Sequence, residues 1–265
     1  MIRSLSLSVG TAAVDVLADT GAVWRLAIGV LKHLVTEPFR GGRLRLQAVV
    51  RQILRAGYES LPLVMLISVL LGMIVAFQSA YQLGKMGALS LVANLVAVSL
   101  TRELGPVMTA IIISGRYGSA VAAELGMMEV SQEVDALTVM GINPISFLVI
   151  PRFIAFSVAL PCLTIFSDVA GILGGLAVSV FGLGIGSNAY LSHTLEALQG
   201  KDVVVGLVKA FAFAWIIGLV ACQVGLATRG GPEEVGRATT TAVVRSIILV
   251  IGTDLFVTAL FYVKG

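Results

Sequence analysis

Residues 61–81 read LPLVMLISVLLGMIVAFQSAY, a run without a single charged side chain. Coiled as an α-helix at 1.5 Å per residue, it crosses the ~30 Å hydrocarbon core of a bilayer. Comparable stretches recur at about Leu91–Ile113, Phe153–Phe181, Val203–Ala227 and Val243–Tyr262. The chain is 57% hydrophobic and only 12% charged, too little charge to cover a soluble domain of 265 residues. We therefore predict an all-α, polytopic membrane protein with about five transmembrane helices.

The region before the first span, residues 1–60, is basic and broken into short apolar stretches. Its cationic residues are Arg3, Arg25, Lys32, Arg40, Arg43, Arg45, Arg51 and Arg55. Between positions 46 and 54 the apolar residues recur at helical spacing, with arginines on the other face. This pattern predicts interfacial amphipathic helices over 1–60, followed by a transmembrane domain over 61–265.

The distribution of Lys and Arg predicts the orientation. Most of these residues fall in 1–60, 115–152 and 228–245, which lie on one side of the membrane if there are five spans. Because cytoplasmic loops carry the excess of basic residues, we expect a cytoplasmic N-terminus and a C-terminus on the opposite side.

One charged pair interrupts the second span, in the stretch 100–106 that reads LTRELGP. Charges at membrane depth are costly, and Arg102 and Glu103 point about 100° apart on a helix, so each needs its own partner. Gly105-Pro106 is expected to break the helix and free carbonyl groups. Two interpretations stay open: a substrate site with one cationic and one anionic group, or a structural pair that bridges to Asp254 or to another helix.

The segment 124–144 contains a short acidic helix pattern between the second and third spans. Val130, Val134, Leu137 and Met140 form one apolar stripe, and Glu129 and Glu133 share another face. Gly141 and Asn143-Pro144 are expected to end that helix. An acidic amphipathic helix at this place suits docking to a protein, and the alternative is an ordinary helix in a surface loop.

Several of these stretches resemble signatures of the MlaE family of ABC-transporter permeases. They are 100–107 (LTRELGPV), 115–126 (GRYGSAVAAELG), 132–144 (QEVDALTVMGINP), Pro151-Arg152, 237–245 (RATTTAVVR) and Asp254. The resemblance covers roughly residues 45–265.

The resemblance implies a subunit of a phospholipid transporter in the inner membrane of Gram-negative bacteria that maintains outer-membrane lipid asymmetry. Its expected partners are a second copy of the chain, a cytoplasmic ABC ATPase, a STAS-domain subunit bound to that ATPase, and a periplasmic ring of MCE-domain subunits. Phospholipid would occupy a cavity between the two permease copies, and the C-terminus would be periplasmic.

Site residues follow from the motifs and from the apolar pattern. The resemblance places Arg102 and Glu103 near the lipid cavity, and the end of the first span, with Gln78, Tyr81 and Leu83, is predicted to line its outer rim. Asp254 and Arg245 are expected charge partners within the membrane. The resemblance makes 124–144 the segment that couples to the ATPase, through Glu129, Glu133, Asp135, Leu137 and Met140.

The sequence contains no Walker A motif, G-x-x-x-x-G-K-[ST]. We therefore predict that the chain is not an enzyme and carries no cofactor, and that ATP and Mg²⁺ bind in the partner ATPase. The two histidines and two cysteines have no metal-ligand spacing, and nucleic acid is not an expected partner. The main alternative is a proton-coupled secondary transporter of lipids or other amphiphiles, with Glu103, Asp168 and Asp254 as a relay. An intramembrane enzyme and a scaffold are further alternatives.

Overall fold

Every regular element in residues 21–33 and 46–264, which the computed structural model describes, is helical. Five helical runs in this part of the chain are long and apolar enough to cross a membrane, as predicted: Leu46–Gly84, Leu89–Val130, Ile145–Phe181, Gly200–Leu226 and Pro232–Phe261. The α-helices are α1 (21–33), α2 (Leu46–Ala56), α3 (Leu61–Gly84), α4 (Val92–Ser99), α5 (Gly105–Ile113), α6 (Ser119–Val130), α7 (Glu133–Val139), α8 (Ile150–Phe181), α9 (Ser187–Ala197), α10 (Gly200–Leu226) and α11 (Pro232–Lys264). Successive runs cross the bundle in opposite directions, so α7 and α9 lie at opposite ends of the bundle. We call these ends the α7 end and the α9 end.

The basic N-terminal region forms the helices α1 and α2 where it is described. In α2, Val49 and Ala56 are buried while Arg51 and Arg55 are exposed or half-exposed, the amphipathic division that the spacing predicted. A 3₁₀ turn at Tyr58–Ser60 joins α2 directly to α3, so the first helical run begins well before the predicted span. Residues 1–20 and 34–45, with Arg3, Arg40, Arg43 and Arg45, lie outside the described residues.

Helices α3 and α8 form the most extensive helix pair, and small residues bring them into backbone contact. A Cβ added to Gly72 would overlap the Gly171 carbonyl, and one added to Gly174 would overlap the Val69 carbonyl. The hydroxyls of Ser68 and Ser167 lie 2.7 Å apart beside this contact. Lipid supplies no hydrophobic drive for helix association, so close van der Waals packing between small residues holds such a pair together.

The second run does not break at Gly105-Pro106, and that expectation was wrong. A π-helical turn at Leu100–Leu104 pairs the Gly105 N–H with the Leu100 carbonyl, and α5 continues from there. Pro106 lies in the first turn of α5, where its fixed φ is compatible with the helix. A second π turn at Ser114–Gly118 leads into α6, so the helix also continues past the predicted end at Ile113.

The acidic pattern at 129–140 is split between two helices, and the expected single helix is therefore wrong. Helix α6 ends at Val130, and Gln132 adopts a left-handed conformation, with φ of 60°, before α7 begins. After this turn, Leu137 of α7 packs into the bundle core. Gly141, with φ of 74°, ends α7 in the predicted manner.

The connection between the third and fourth spans contains a short helix, α9. Its Tyr190 is fully buried, and the hydroxyl donates to the Ile172 carbonyl over 3.3 Å. Burial raises the pKa of Tyr190 to about 12. Helix α9 therefore packs against α4 and α8 at this end of the bundle.

Candidate functional site

The buried Lys209 of α10 is the centre of a charged cluster formed by three spans. Its Nζ donates to Glu103 Oε2 and, over 2.7 Å, to Thr258 Oγ1. The same Nζ lies 2.9 Å from Asp254 Oδ1 on α11. Thr258 in turn donates to Glu103 Oε1 over 3.2 Å. One ammonium thus holds two carboxylates, which leaves the cluster with one excess negative charge.

Close backbone packing between α10 and the π turn explains why Lys209 can reach Glu103. A Cβ on Gly206 would overlap the Thr101 carbonyl in the π turn, so glycine is what allows α10 to lie against that turn. Lys209 lies three residues, slightly less than one helical turn, further along α10 and on the same face. Pro106 offers no N–H to the preceding turn, and the widened backbone there meets α10.

Arg102 diverges from Glu103 and meets the beginning of α10. Its Nη1 lies 3.5 Å from Asp202 Oδ1. Asp202 is also part of a capping box, in which the Gln199 N–H donates to Asp202 Oδ2 over 3.0 Å. Both charges of the pair are therefore bound to α10, about 10 Å apart along its axis. This is the arrangement anticipated by the bridging interpretation, with Lys209 as the residue that sequence reasoning missed.

The central ammonium of the cluster is buried, whereas its two carboxylates and the neighbouring Arg102 guanidinium are partly exposed. The side chain of Lys209 is 0% exposed, whereas those of Asp254, Glu103 and Arg102 are 22%, 37% and 41% exposed. Carboxylates and a guanidinium are therefore accessible at a depth where a lone bundle would meet hydrocarbon. Such groups are normally turned towards a protein partner or a water-filled cavity.

Asp168 of α8 lies behind the same π turn. A Cβ on Gly105 would overlap Asp168 Oδ1, and this oxygen is buried without a hydrogen-bond partner among the described residues. The structure does not bring Asp168 into the ion pairs of Lys209. The three carboxylates of the predicted relay are therefore divided, with Glu103 and Asp254 in the cluster and Asp168 on the other side of the turn.

The predicted rim residues lie at the end of α3, and no contact described here joins them to the cluster. Gln78 and Tyr81 are exposed, and Lys85 Nζ lies 4.0 Å from the centre of the Tyr81 ring. Leu83 is partly buried and packs against the hydrophobic cluster that contains Leu100. Arg245 is roughly 13 Å from Asp254 along α11, and it is Lys209 that pairs with that carboxylate.

The predicted coupling residues are distributed over α6, α7 and the end of α7. Glu133, Asp135 and Met140 are exposed, and Glu129 is half-buried at the end of α6. Leu137 packs into the permease's own core, where it anchors α7. Val139, which the sequence did not single out, is 89% exposed and enlarges the apolar part of this surface.

A second ionic network lies at the α7 end and centres on Glu124 of α6. Its carboxylate accepts from Arg55 Nη1 over 2.5 Å and from Arg152 Nη2 over 3.1 Å, which links α2, α6 and α8. Arg152 also donates to the Leu148 carbonyl over 2.8 Å. Nearby, Arg116 donates to Ser60 Oγ over 2.6 Å. Within 21–33 and 46–264, no group of three His, Cys, Asp or Glu side chains could hold a metal ion.

Comparisons with known proteins extend over nearly the whole chain. The model of the family described as Permease MlaE matches residues 49–260. A probable ABC transporter permease protein of Rickettsia felis is 37% identical over 262 residues, 99% of each chain. Another from Synechocystis is 37% identical over 83% of this chain and 84% of its own length. The chloroplast protein TRIGALACTOSYLDIACYLGLYCEROL 1 of Arabidopsis thaliana is 34% identical over 92% of this chain and 69% of its own.

Proposed function

The chain belongs to the MlaE family of ABC-transporter permeases, and from that premise we propose that it moves phospholipid between the bacterial inner membrane and a periplasmic MCE-domain partner, maintaining outer-membrane lipid asymmetry. It is a multi-pass membrane protein, the permease subunit of an ABC transporter, and not itself an ATPase. A lipid cargo is supported by the relative from Arabidopsis thaliana, whose name is that of a galactolipid.

The observation that carries the proposal is the half-open charged cluster at membrane depth. Glu103 and Arg102 offer an acid and a guanidinium to whatever lies beside them, and Lys209 holds the acid in place. A phospholipid head group has a phosphate that matches the guanidinium. The flanking spans provide apolar surface for acyl chains, as on α3, where Leu66, Leu70 and Ile74 are exposed along one face.

A second copy of the chain would enclose this cluster. Helix α11 is the least buried of the five spans, and its exposed residues between 244 and 261 are mostly large and apolar. Pairing through a surface of this kind removes the carboxylates from lipid and creates a cavity between the copies. Gln78 and Tyr81 would lie towards its periplasmic rim.

The continuity of the second helical run supports the proposal of ATP-driven coupling. An ABC permease requires an ATPase partner, and we assign α7 with Glu133, Asp135, Val139 and Met140 as its docking surface. A STAS-domain subunit would bind through the ATPase. Helix α7 is joined by the left-handed turn at Gln132 to the end of the second helical run, which leads through α6 and α5 to the π turn of Glu103. ATPase closure that displaces α7 therefore moves the cluster and changes the shape of the cavity.

The second candidate is a proton-coupled transporter of lipids or other amphiphiles. It is favoured by Asp168, a buried carboxyl without a partner next to the π turn. The two candidates differ in their energy source, because only the first needs a separate ATPase.

The test is reconstitution of the chain in liposomes, with and without the subunits that co-purify in mild detergent. We expect an ATPase among those subunits and transfer of fluorescent phospholipid only when it hydrolyses ATP. An ATPase variant that binds but does not hydrolyse ATP is the control. Lipid movement by the permease alone under a proton gradient would contradict the ABC proposal.

A further inference from the structure

Two cavities, each of about 320 Å³, meet at the α7 end of the bundle. The first, here called the polar cavity, lies between α10 and α11, and about half of its wall is polar, with charged groups from Arg229, Arg237, Arg245 and Glu234. The second lies between α10 and α1, and most of its wall is apolar, with Ala22, Leu26, Ile145 and Leu226 beside Arg25. Gln223 and Ala227 belong to the walls of both. A polar and an apolar space thus adjoin at the end of one span.

The polar cavity can bind an anion in spite of its glutamate. Arg237 pairs with Glu234 at 3.1 Å and with Glu233 at 3.4 Å, but all three side chains are strongly exposed. Exposed pairs of this kind are weak, and a guanidinium has five N–H donors, so Arg237 retains the capacity to bind a phosphate. Arg229 lies in the turn before α11 and is exposed as well. Two guanidiniums from different elements therefore converge on one space.

The shared wall contains an unsatisfied polar group. Gln223 Oε1 is buried and has no hydrogen-bond partner in the part of the chain that the structure describes. A buried amide oxygen without a partner is unfavourable, and a ligand at the junction of the two cavities would relieve it. A ligand that has a charged group at one end, an apolar group at the other and a polar group between them is an amphiphile.

From these observations we propose that the paired cavities bind one phospholipid of the leaflet at the α7 end. Its phosphodiester contacts Arg229 and Arg237, its ester region meets Gln223, and an acyl chain lies between α1 and α10. Volumes of this size are typical of small-molecule sites. The site is separate from the Lys209 cluster, which lies roughly 20 Å away along α10, and it requires only that the protein lies in a bilayer. It therefore stands or falls apart from the transport proposal.

The experiment uses the full chain in nanodiscs that contain phosphatidylglycerol with a photoactivatable group in its acyl chain. Mass spectrometry of the labelled protein is expected to locate the label on peptides with Ile145 and Leu226. Replacing both arginines, Arg229→Gln with Arg237→Gln, should reduce this labelling at least about fivefold, since each basic residue near a lipid surface contributes that order of affinity. Ala227→Leu should reduce it too, because the larger side chain fills the shared wall while every charge remains.

Matched substitutions elsewhere distinguish the site from general effects. Arg51→Gln removes an exposed arginine of α2, and Ala189→Leu enlarges an exposed alanine of α9. Neither should alter labelling, and all variants should elute from size exclusion as the parent does. Labelling that is unchanged in both Ala227→Leu and the double arginine variant would overturn the proposal.

Two further outcomes would also overturn it. If inorganic phosphate protects Arg229 and Arg237 from phenylglyoxal while no lipid label reaches the apolar cavity, the site takes free phosphate. If the ATPase partner abolishes labelling in the assembled complex, the cavities belong to the subunit interface. Label on the expected peptides in the complex as well as in the isolated chain supports the lipid.

Discussion

The two ionic networks of this protein have opposite arrangements of charge. At the α7 end, one carboxylate, Glu124, lies between two guanidiniums, those of Arg55 and Arg152. Deeper in the bundle, one ammonium, Lys209, lies between the carboxylates of Glu103 and Asp254. Each network links three helices, so connectivity alone does not distinguish them.

Their surroundings do distinguish them. The Glu124 network lies near the end of its helices, where Arg55 is 45% exposed and water can solvate the excess charge. The Lys209 network has its cation completely buried and its carboxylates partly open at membrane depth. An excess charge near water is solvated and has a small free-energy cost, whereas an excess charge inside a membrane has a large one. We therefore propose that the first network serves stability and that the second serves function.

Lys209→Met should have the largest effect on stability, because it leaves two carboxylates without a cation. Removing one member of a buried ion pair costs about 3–5 kcal/mol. The free energy of unfolding, measured by SDS titration of the protein in mixed micelles, should fall by that order. Adding Glu103→Gln and Asp254→Asn to this variant should recover stability but not lipid transfer. A stable Lys209→Met single variant would show that the cluster is already solvated.

Gly206→Val tests whether close backbone approach assembles the Lys209 network. The added side chain would collide with the Thr101 carbonyl and push α10 away from the π turn. We expect about 1–3 kcal/mol of destabilisation by the same titration, which is typical of overpacking. The matched control is Gly200→Val at the beginning of α10, where an added Cβ meets nothing within 4 Å. Equal losses in both variants would point to helix propensity instead of contact.

Glu124→Gln should weaken the fold while leaving transport intact. Arg152 would lose its anionic partner near the α7 end, and we expect a loss of about 1–2 kcal/mol for this partly exposed network. Lipid transfer per folded complex in proteoliposomes should remain at the parent level. Reduced transfer at equal folded amount would assign a coupling role to Glu124 and weaken the distinction between the networks.

Glu103→Gln is the corresponding substitution in the Lys209 network, and we expect it to reduce transport while changing stability little. Lys209 keeps Asp254 as its counter-ion, so the free energy of unfolding should change by less than about 1 kcal/mol. ATP-driven lipid transfer should fall about tenfold, which corresponds to roughly 1.4 kcal/mol of lost interaction. Unchanged transfer would favour the purely structural interpretation of the pair.

Arg102→Gln should have the smallest effect on stability. The Arg102–Asp202 pair is 3.5 Å apart, and the arginine side chain is 41% exposed, a geometry typical of pairs worth about 0–1 kcal/mol. Helix α10 keeps its Gln199–Asp202 cap in this variant. A loss larger than about 2 kcal/mol in SDS titration would show that Arg102 supports the cluster more than its contact indicates.

Much of the architecture was predictable from the sequence because lipid imposes one rule on the backbone. A chain segment in hydrocarbon must satisfy its own hydrogen bonds, so apolar length identifies five helical spans without any tertiary information. Helical spacing also identified α2, and the glycine at position 141 identified the end of α7. The predictions that went wrong, at Gly105-Pro106 and at Gln132, concern the exact hydrogen-bond register of a helix. Both a π turn and a left-handed turn are small local changes that neighbouring helices stabilise.

The sequence by itself determined the spans, the family and the identity of the charged residues within the membrane. Only the tertiary structure decided their partners. Glu103 is separated from Lys209 by more than a hundred positions, and no periodicity connects them. They meet because Gly206 admits α10 to the backbone of the π turn, and because that turn sets the direction of each side chain. Ion pairs act over a few ångströms, so their choice depends on helix rotation and approach, which packing determines and composition does not.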